Sequence, residues 1–248
     1  FFFNHTPAYA ILSGLVGSEM CIRDSDNKVL KLKKYRGKAF VNVLGIPIRV
    51  SKKYYSSVYG PTLKNKTGFF SVRTGSLFKV RALEQWWKMN KATSFDEFYS
   101  ILEMNEIPGY NIGYADKDDN IFYISNGLIP IRNDKFKWTG ILPGNTSETL
   151  WTDYYKTHEL PQVINPESGY IYNANHSPFK STSIDENPNP KDFASNMGFE
   201  TFNNNRSTRI FELVESHKSI DYETFKKIFY FLIRILNLGN SNNCNKCR

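Results

Sequence analysis

Cysteine is scarce in this chain, and the pattern of the 3 cysteines argues against a common kind of metal site. Cys21 stands alone, whereas Cys244 and Cys247 form a single C-x-x-C pair near the end. A structural zinc ion takes four protein ligands, and neither a second cysteine pair nor a nearby histidine accompanies that pair. The cysteines therefore predict no structural zinc site.

Long apolar runs are also absent. The apolar stretch over residues 8–16 is interrupted by Ser13 and Gly14, and no basic residues precede it. It matches neither a secretory signal peptide nor a membrane-spanning helix. The sequence also shows no internal repeat and no low-complexity linker, and we expect no transmembrane span.

Acidic residues are fewer than basic ones: 32 lysines and arginines against 24 aspartates and glutamates give a net charge of +8. The excess is densest between Lys28 and Lys38. Such a run can mark binding to nucleic acid or to an anionic membrane. Because apolar residues such as Leu32 and Tyr35 separate the lysines, the favoured interpretation is a half-buried strand with a solvated face. No recognised nucleic-acid module accompanies the run.

The two ends of the sequence differ from its middle. Residues 16–25 (VGSEMCIRDS) resemble a translated sequencing adapter, so we expect residues 1–25 to lie outside the fold. An apolar run followed by an Asn- and Cys-rich stretch makes residues 231–248 either a frayed helix end or an aberrant tail. The predicted domain is therefore residues 26–230.

The middle of the chain predicts a loop-rich α+β protein, since 40% of the residues are hydrophobic and 15 Gly and 11 Pro are spread along it. Strands are expected over Ala39–Leu44, Ile46–Val50, Phe69–Arg73, Tyr110–Ala115 and Ile121–Ser125. Helices are expected over Ala82–Asn90, from a Ser94 cap through Met104, from Ser207 to about Ser216, and from Asp221 onward. On the first helix, Leu83, Trp86 and Trp87 are expected on one side, with the two tryptophans as core or interface residues rather than ligand stackers.

Residues 165–178 (NPESGYIYNANHSP) carry the most suggestive polar groups. Tyr170–Tyr172 predict a short strand between two turns, which places Asn173, Asn175 and His176 at a strand end. Two interpretations follow. The asparagines bond turn backbone, as asparagine commonly does, or one of them donates its amide N–H to a developing oxyanion.

Several further stretches resemble, in the same order as this one, the penicillin acylase family of N-terminal nucleophile hydrolases. They lie between about Val29 and Ile228 and are Gly60-Pro61, Ile112–Asp116, Gly127–Arg132, Trp138–Pro143 and Arg206–Leu213. The resemblance implies the four-layer αββα sandwich of that class, incomplete in this chain. It also implies hydrolysis of a linear amide by an N-terminal serine, whose own α-amino group serves as the base.

The resemblance also assigns residues to roles. It makes Asn175 the side-chain oxyanion donor and Arg209 the residue that orients Asn175 or the amino terminus, with Arg206 as the alternate. It places Tyr110 and Asn111 in one wall of the acyl pocket. It requires neither His158 nor His176. The nucleophile is expected upstream of this sequence, so the chain alone is expected to be inactive.

The chemistry implied needs no cofactor. A structural calcium ion, bound by some family members, leaves Asp185 as a candidate ligand. The acidic turn Asp116–Asn120 lacks EF-hand spacing and is predicted to be a hairpin turn instead.

The expected partners are a small-molecule amide, an α subunit and the rest of the β subunit, in a periplasmic or secreted protein without nucleic acid. Two alternatives stay open at this point. One is a catalytically inactive homologue that only binds. The other is a β-rich protein that binds an anionic polymer, which a steep salt dependence of binding would reveal.

Overall fold

The computed structural model describes residues 11–15, 21–23 and 29–228. These residues belong to two units. The first combines the chain up to Tyr110 with Asn126–Leu160 and Phe193–Gly198. The second combines Asn111–Ser125, Pro161–Asp192 and the chain from Phe199 onward. The predictions made for residues 231–248 lie outside the described residues.

Strands and helices both occur, as the sequence predicted. The strands are β1 (Ile11–Leu15), β2 (Cys21–Arg23), β3 (Val29–Lys31), β4 (Lys33–Val43), β5 (Ile46–Ser57), β6 (Gly60–Lys64), β7 (Phe69–Arg73), β8 (Gly109–Ala115), β9 (Ile121–Gly127), β10 (Leu142–Pro143) and β11 (Gln162–Ile164). The helices are α1 (Ala82–Met89), α2 (Phe95–Leu102) and α3 (Asn205–Glu215), and residues 222–228 are also helical. Among the residues described, no helix has the length and apolar composition needed to cross a bilayer.

The sheet of the first unit has the strand order β10-β1-β7-β6-β5-β4. Its β1 strand, Ile11–Leu15, pairs antiparallel with Phe69–Arg73 along its whole length. Cys21–Arg23 likewise pairs with Val29–Lys31. Through the first of these pairings, β1 covers the edge of β7 that faces away from β6.

The β4–β5 hairpin forms the far end of this sheet. Its turn is Leu44-Gly45, with φ values of 53° and 85° that suit a two-residue hairpin connection. Directly paired residues share a face, so the register gives a mainly apolar face near the turn, which also carries Lys33 and Lys52, and a face rich in basic residues. The apolar face carries Val41, Val43, Ile46, Ile48 and Val50, and the basic face carries Lys34, Arg36, Lys38, Arg49 and Lys53.

Exposure corrects the half-buried strand expected for the lysine-rich run. Leu32 is buried, but Tyr35 is 54% exposed and Phe40 is 72% exposed. Only Tyr55–Ser57 of β5 pairs with β6, so most of the hairpin extends past the neighbouring strand. Both of its faces are therefore solvated along most of their length.

Helices α1 and α2 are joined by a buried glutamine rather than by tryptophans. Gln85 has no exposed surface. Its Nε2 donates to the Leu102 carbonyl at the end of α2 (3.3 Å), and its Oε1 accepts from the backbone N–H groups of Glu106 (2.7 Å) and Ile107 (3.1 Å). Of the two tryptophans predicted to be core or interface residues, Trp87 is 66% exposed and Trp86 is half-buried. The buried side of α1 therefore carries Gln85, which bonds the backbone at the C-terminal end of α2.

The second unit contains the sheet β11-β9-β8. The hairpin turn predicted between β8 and β9 is confirmed. The Asp116 carboxylate accepts hydrogen bonds from the backbone N–H groups of Asp118 (2.9 Å) and Asn120 (3.0 Å) and from the Asn120 amide. These bonds, the Asn120 amide bond first among them, hold the pKa of Asp116 at about 2. The carboxylate is thus used to close the turn.

Candidate active site

The 165–178 segment follows β11 and is a loop held together by individual hydrogen bonds. The strand predicted at Tyr170–Tyr172 is absent there. In place of a strand ladder, the Tyr172 N–H donates to the Ser181 carbonyl (2.8 Å) and the Thr182 hydroxyl donates to the Tyr170 carbonyl (2.7 Å). These bonds pin the loop to the following residues, which begin a 3-10 turn at Pro178.

Asn175 has a left-handed backbone, with φ at 53°. Its N–H donates to the Oδ1 of Asn173 (3.0 Å), and its carbonyl accepts from the Nδ2 of Asn204 (3.0 Å). Its half-buried side chain is different, because no hydrogen bond from the described residues reaches that amide. The backbone of Asn175 is thus bonded on both sides, whereas its side-chain amide is not bonded to the described residues.

Asn173 plays the turn role. Its Oδ1 accepts from the Asn175 N–H and from the Nδ2 of Asn111 (3.1 Å), and Asn111 in turn accepts a bond from the Ser125 hydroxyl (2.9 Å). The side chain of Asn173 therefore bonds the backbone of Asn175, and the two side chains do not share one face of a strand. Of the two predicted pocket residues, Asn111 meets this segment, and Tyr110 packs edge-on against Trp86 at 5.7 Å between ring centroids.

The two arginines have different surroundings. Helix α3 begins at Asn205 and is capped by Asn204, so Arg206 lies in its first turn and Arg209 one turn further on. This corrects the predicted start at Ser207. Arg206 donates to the Ala174 carbonyl (3.0 Å), and Arg209 forms an ion pair with Glu212 (2.8 Å). A cation in the first turn opposes the helix dipole, and the contact outside the helix offsets this cost for Arg206.

His176 is a buried clamp within the loop. Its Nδ1 accepts from the Ala174 N–H (3.1 Å), its Nε2 faces the Lys180 carbonyl at 2.5 Å, and its ring stacks on Tyr172. Donation from Nε2 to that carbonyl and acceptance at Nδ1 require the neutral ring. Burial lowers the pKa of His176, and the positive charges of Arg206 and Lys180 lower it further.

We expect this clamp to make stability fall on acidification. The unfolded imidazole has a pKa near 6.5 and the folded one a lower pKa, so the unfolded state binds more protons below about pH 6.5. Stability from His176 is complete above that pH and is lost as the pH falls through the folded pKa. Urea unfolding of His176→Phe between pH 5 and 8 should show lower stability at pH 7 and a shallower acid slope. The exposed His158 supplies the control, His158→Ala, and an unchanged slope in His176→Phe would contradict the assignment.

The calcium ligand proposed from the resemblance does not stand in a suitable cluster. Asp185 is exposed, and the described residues contain no group of three or more His, Cys, Asp or Glu side chains that could hold a metal. The neighbouring Glu186 accepts hydrogen bonds from the backbone N–H groups of Glu167 and Ser168. The described residues thus place no carboxylate cluster around Asp185, and the calcium assignment there stays a prediction.

Comparison with known proteins shows the family and the fold of the chain. The family model for penicillin amidase matches residues 24–230. The chain belongs to the penicillin amidase family. Its relatives are acylases, which act on amides. The fold is likewise that of a solved acylase: the thermostable penicillin G acylase from Alcaligenes faecalis matches 98% of this chain and 52% of its own, with a TM-score of 0.65 at 16% identity.

Two curated relatives are similar to this chain over about half of the chain's length. Penicillin G acylase from Escherichia coli is 29% identical over 130 residues, or 51% of this chain and 15% of that protein. Acyl-homoserine lactone acylase PvdQ from Pseudomonas fluorescens (strain Pf0-1) is 24% identical over 159 residues, or 54% of this chain and 20% of that protein. The chain thus spans 15% and 20% of the length of these relatives.

Sequence reasoning missed Asn204. An asparagine directly before an amphipathic helix is a cap signal, and the Oδ1 of Asn204 does accept from the Ser207 N–H (2.9 Å). That signal would have found the cap. Its second role, donation to the carbonyls of Ala174 and Asn175, joins residues 29 and 30 positions apart and has no local signature.

Proposed function

We propose that the whole protein is an acylase that hydrolyses a linear amide between an acyl group and an amine, through an N-terminal serine in polypeptide beyond this sequence. The observation that supports the proposal most directly is the Asn175 amide, half-buried on a fixed backbone and unbonded among the described residues. A neutral donor held in this way suits an oxyanion, because it needs no reorganisation when the charge develops.

The reaction would proceed by acylation of the serine and then hydrolysis of the acyl ester. The serine hydroxyl attacks the amide carbonyl while its proton passes to the α-amino group, and the carbonyl oxygen becomes an oxyanion that accepts a hydrogen bond from Asn175. The C–N bond then breaks, and the leaving amine takes that proton. Water attacks the resulting acyl ester in the same manner and releases the acid.

The other site residues take supporting roles in this proposal. Arg209 orients Asn175 or the serine amino group, as the resemblance implies. Arg206 is supported as the alternate by its bond to the Ala174 carbonyl. Tyr110 and Asn111 contribute one wall of the acyl pocket. Asn111 is bonded to Asn173, which belongs to residues 165–178, called here the oxyanion segment.

Substrate class and assembly are inferred from the relatives. Their names specify penicillin G and acyl-homoserine lactones, both of which contain a linear amide between an acyl chain and an amine. We infer the same bond class here, an assembly with an α subunit and the remaining β-subunit polypeptide, and a periplasmic or secreted location. The proposed chemistry uses no cofactor.

The test is expression of the complete open reading frame, followed by N-terminal sequencing of the processed chains. We expect a serine at the start of the catalytic subunit and release of amine from an N-acyl anilide series and from N-acyl homoserine lactones. Replacing that serine by alanine should abolish release. A processed, folded protein that releases no amine from any acyl length would instead identify a homologue that only binds.

A further inference from the structure

Asn204 connects the start of helix α3 to the oxyanion segment through every polar atom of its side chain. Its Oδ1 accepts from the Ser207 N–H at 2.9 Å, which caps the helix. Its Nδ2 donates to the carbonyls of Ala174 and Asn175, each at 3.0 Å. An amide group has two N–H donors, so both are used, and the orientation of the side chain is fixed from three directions.

We propose that Asn204 is a positioning residue that holds the Asn175 amide at the oxyanion. The inference rests on the role proposed for Asn175. A left-handed φ of 53° is unfavourable for residues other than glycine, although asparagine tolerates it better than most. The bond to the Asn175 carbonyl fixes the peptide plane that follows Cα, and the bond from its N–H to Asn173 fixes the plane before it. With both planes set, the direction of the Asn175 Cα–Cβ bond is set as well, and the amide can move only by rotation about its χ angles.

Asn173 and Asn204 hold Asn175 with opposite chemistry. Asn173 uses its Oδ1 as an acceptor for the Asn175 N–H, whereas Asn204 uses its Nδ2 as a donor to the Asn175 carbonyl. An aspartate at position 173 keeps an acceptor in place. An aspartate at position 204 keeps the helix cap, because carboxylates are good N-caps and favour the helix dipole, but it replaces two donors with negative charge facing two carbonyl oxygens.

The experiment is a double-mutant cycle in the complete, processed enzyme, with kcat measured per titrated active site on one amide substrate. We expect Asn204→Asp to lower kcat about tenfold to a hundredfold, the size of effect that a small misplacement of a catalytic group produces, with little change in KM. In the Asn175→Ala background the same substitution should cause no further loss, because the group that it positions is gone. Asn173→Asp should retain more activity than Asn173→Ala.

Ser94→Asp is the matched control, since Ser94 caps α2 through the Glu97 N–H (3.2 Å) and the change also places a carboxylate at a helix cap. It should leave kcat unchanged. An equal loss from Asn204→Asp in both backgrounds would show a purely structural role and overturn the inference, as would a normal kcat in the single variant. If Asn204→Asp does not fold, Asn204→Ser, which keeps an uncharged cap oxygen, takes its place in the cycle. A normal kcat for Asn175→Ala alone would overturn the proposed function, and the inference with it.

Discussion

Asn175→Ala in the complete enzyme should slow acylation about 10²–10³-fold, the usual loss for one oxyanion donor, while substrate binding changes little. The amide interacts more strongly with the oxyanion of the tetrahedral intermediate than with the neutral carbonyl of the substrate, so its loss appears in turnover. The structure adds that the backbone of Asn175 is held by bonds from other residues. Truncating the side chain therefore removes the donor without releasing the loop.

Single-turnover acylation and urea unfolding of the same variant separate these effects. Asn189→Ala is a matched control for Asn173→Ala. The exposed Asn189 accepts a bond from the Lys191 N–H (3.1 Å), in the same local pattern in which Asn173 accepts from the Asn175 N–H. We expect normal acylation from it. We expect an intermediate loss from Asn173→Ala, since that change releases one side of the Asn175 backbone. Small and equal effects at positions 173 and 175 would mean that the segment is only a turn.

The resemblance located Asn175 along the chain, but the sequence could not show how it is held. The Asn175 carbonyl is bonded by Asn204, the cap of α3. The Asn175 N–H is bonded by Asn173, which in turn is bonded by Asn111 on β8, 62 residues earlier in the chain. Such contacts depend on tertiary packing, and propensity and periodicity carry no record of them. The strand predicted at Tyr170–Tyr172 failed for a related reason. Aromatic and β-branched residues favour strands only where a partner strand is available.

Local signals were reliable where the chain decides its own structure. The strands Phe69–Arg73 and Ile121–Gly127 follow β-type composition, and Ser94 caps α2 as predicted. In a capping box, the Glu97 carboxylate would accept from the Ser94 N–H. It accepts instead from the Thr93 N–H (2.8 Å), one residue earlier. Such details depend on the entry path of the chain rather than on residue type.

Gln85→Leu should lower the free energy of unfolding by about 2–4 kcal/mol, because it leaves the buried N–H of Ile107 and the partly buried N–H of Glu106 without their acceptor. The polarity of Gln85 hid it from sequence reasoning, which assigned the core face of α1 to tryptophans. Gln85 bonds the backbone that follows α2: it is the acceptor for the N–H groups of Glu106 and Ile107, and it adds a donor to the Leu102 carbonyl, which also accepts from the Asn105 N–H. Urea unfolding at pH 7 measures the loss, and a change below about 0.5 kcal/mol, typical of surface sites, would contradict it.

Gln85→Glu tests the same contact in the opposite way, through pH. A carboxylate accepts both N–H bonds but cannot donate to the Leu102 carbonyl, whereas a protonated carboxyl can do both. Since the position has no exposed surface, burial and the facing carbonyl should raise the pKa of the introduced group above its unfolded value, and they act against the lowering by the two N–H bonds. The resulting stability is present below the unfolded pKa and is lost as the pH rises through the folded pKa. The stability gap to the wild-type chain should therefore be small at pH 4 and widen by pH 8, and an equal gap at both pH values would show that the donor of Gln85 contributes nothing.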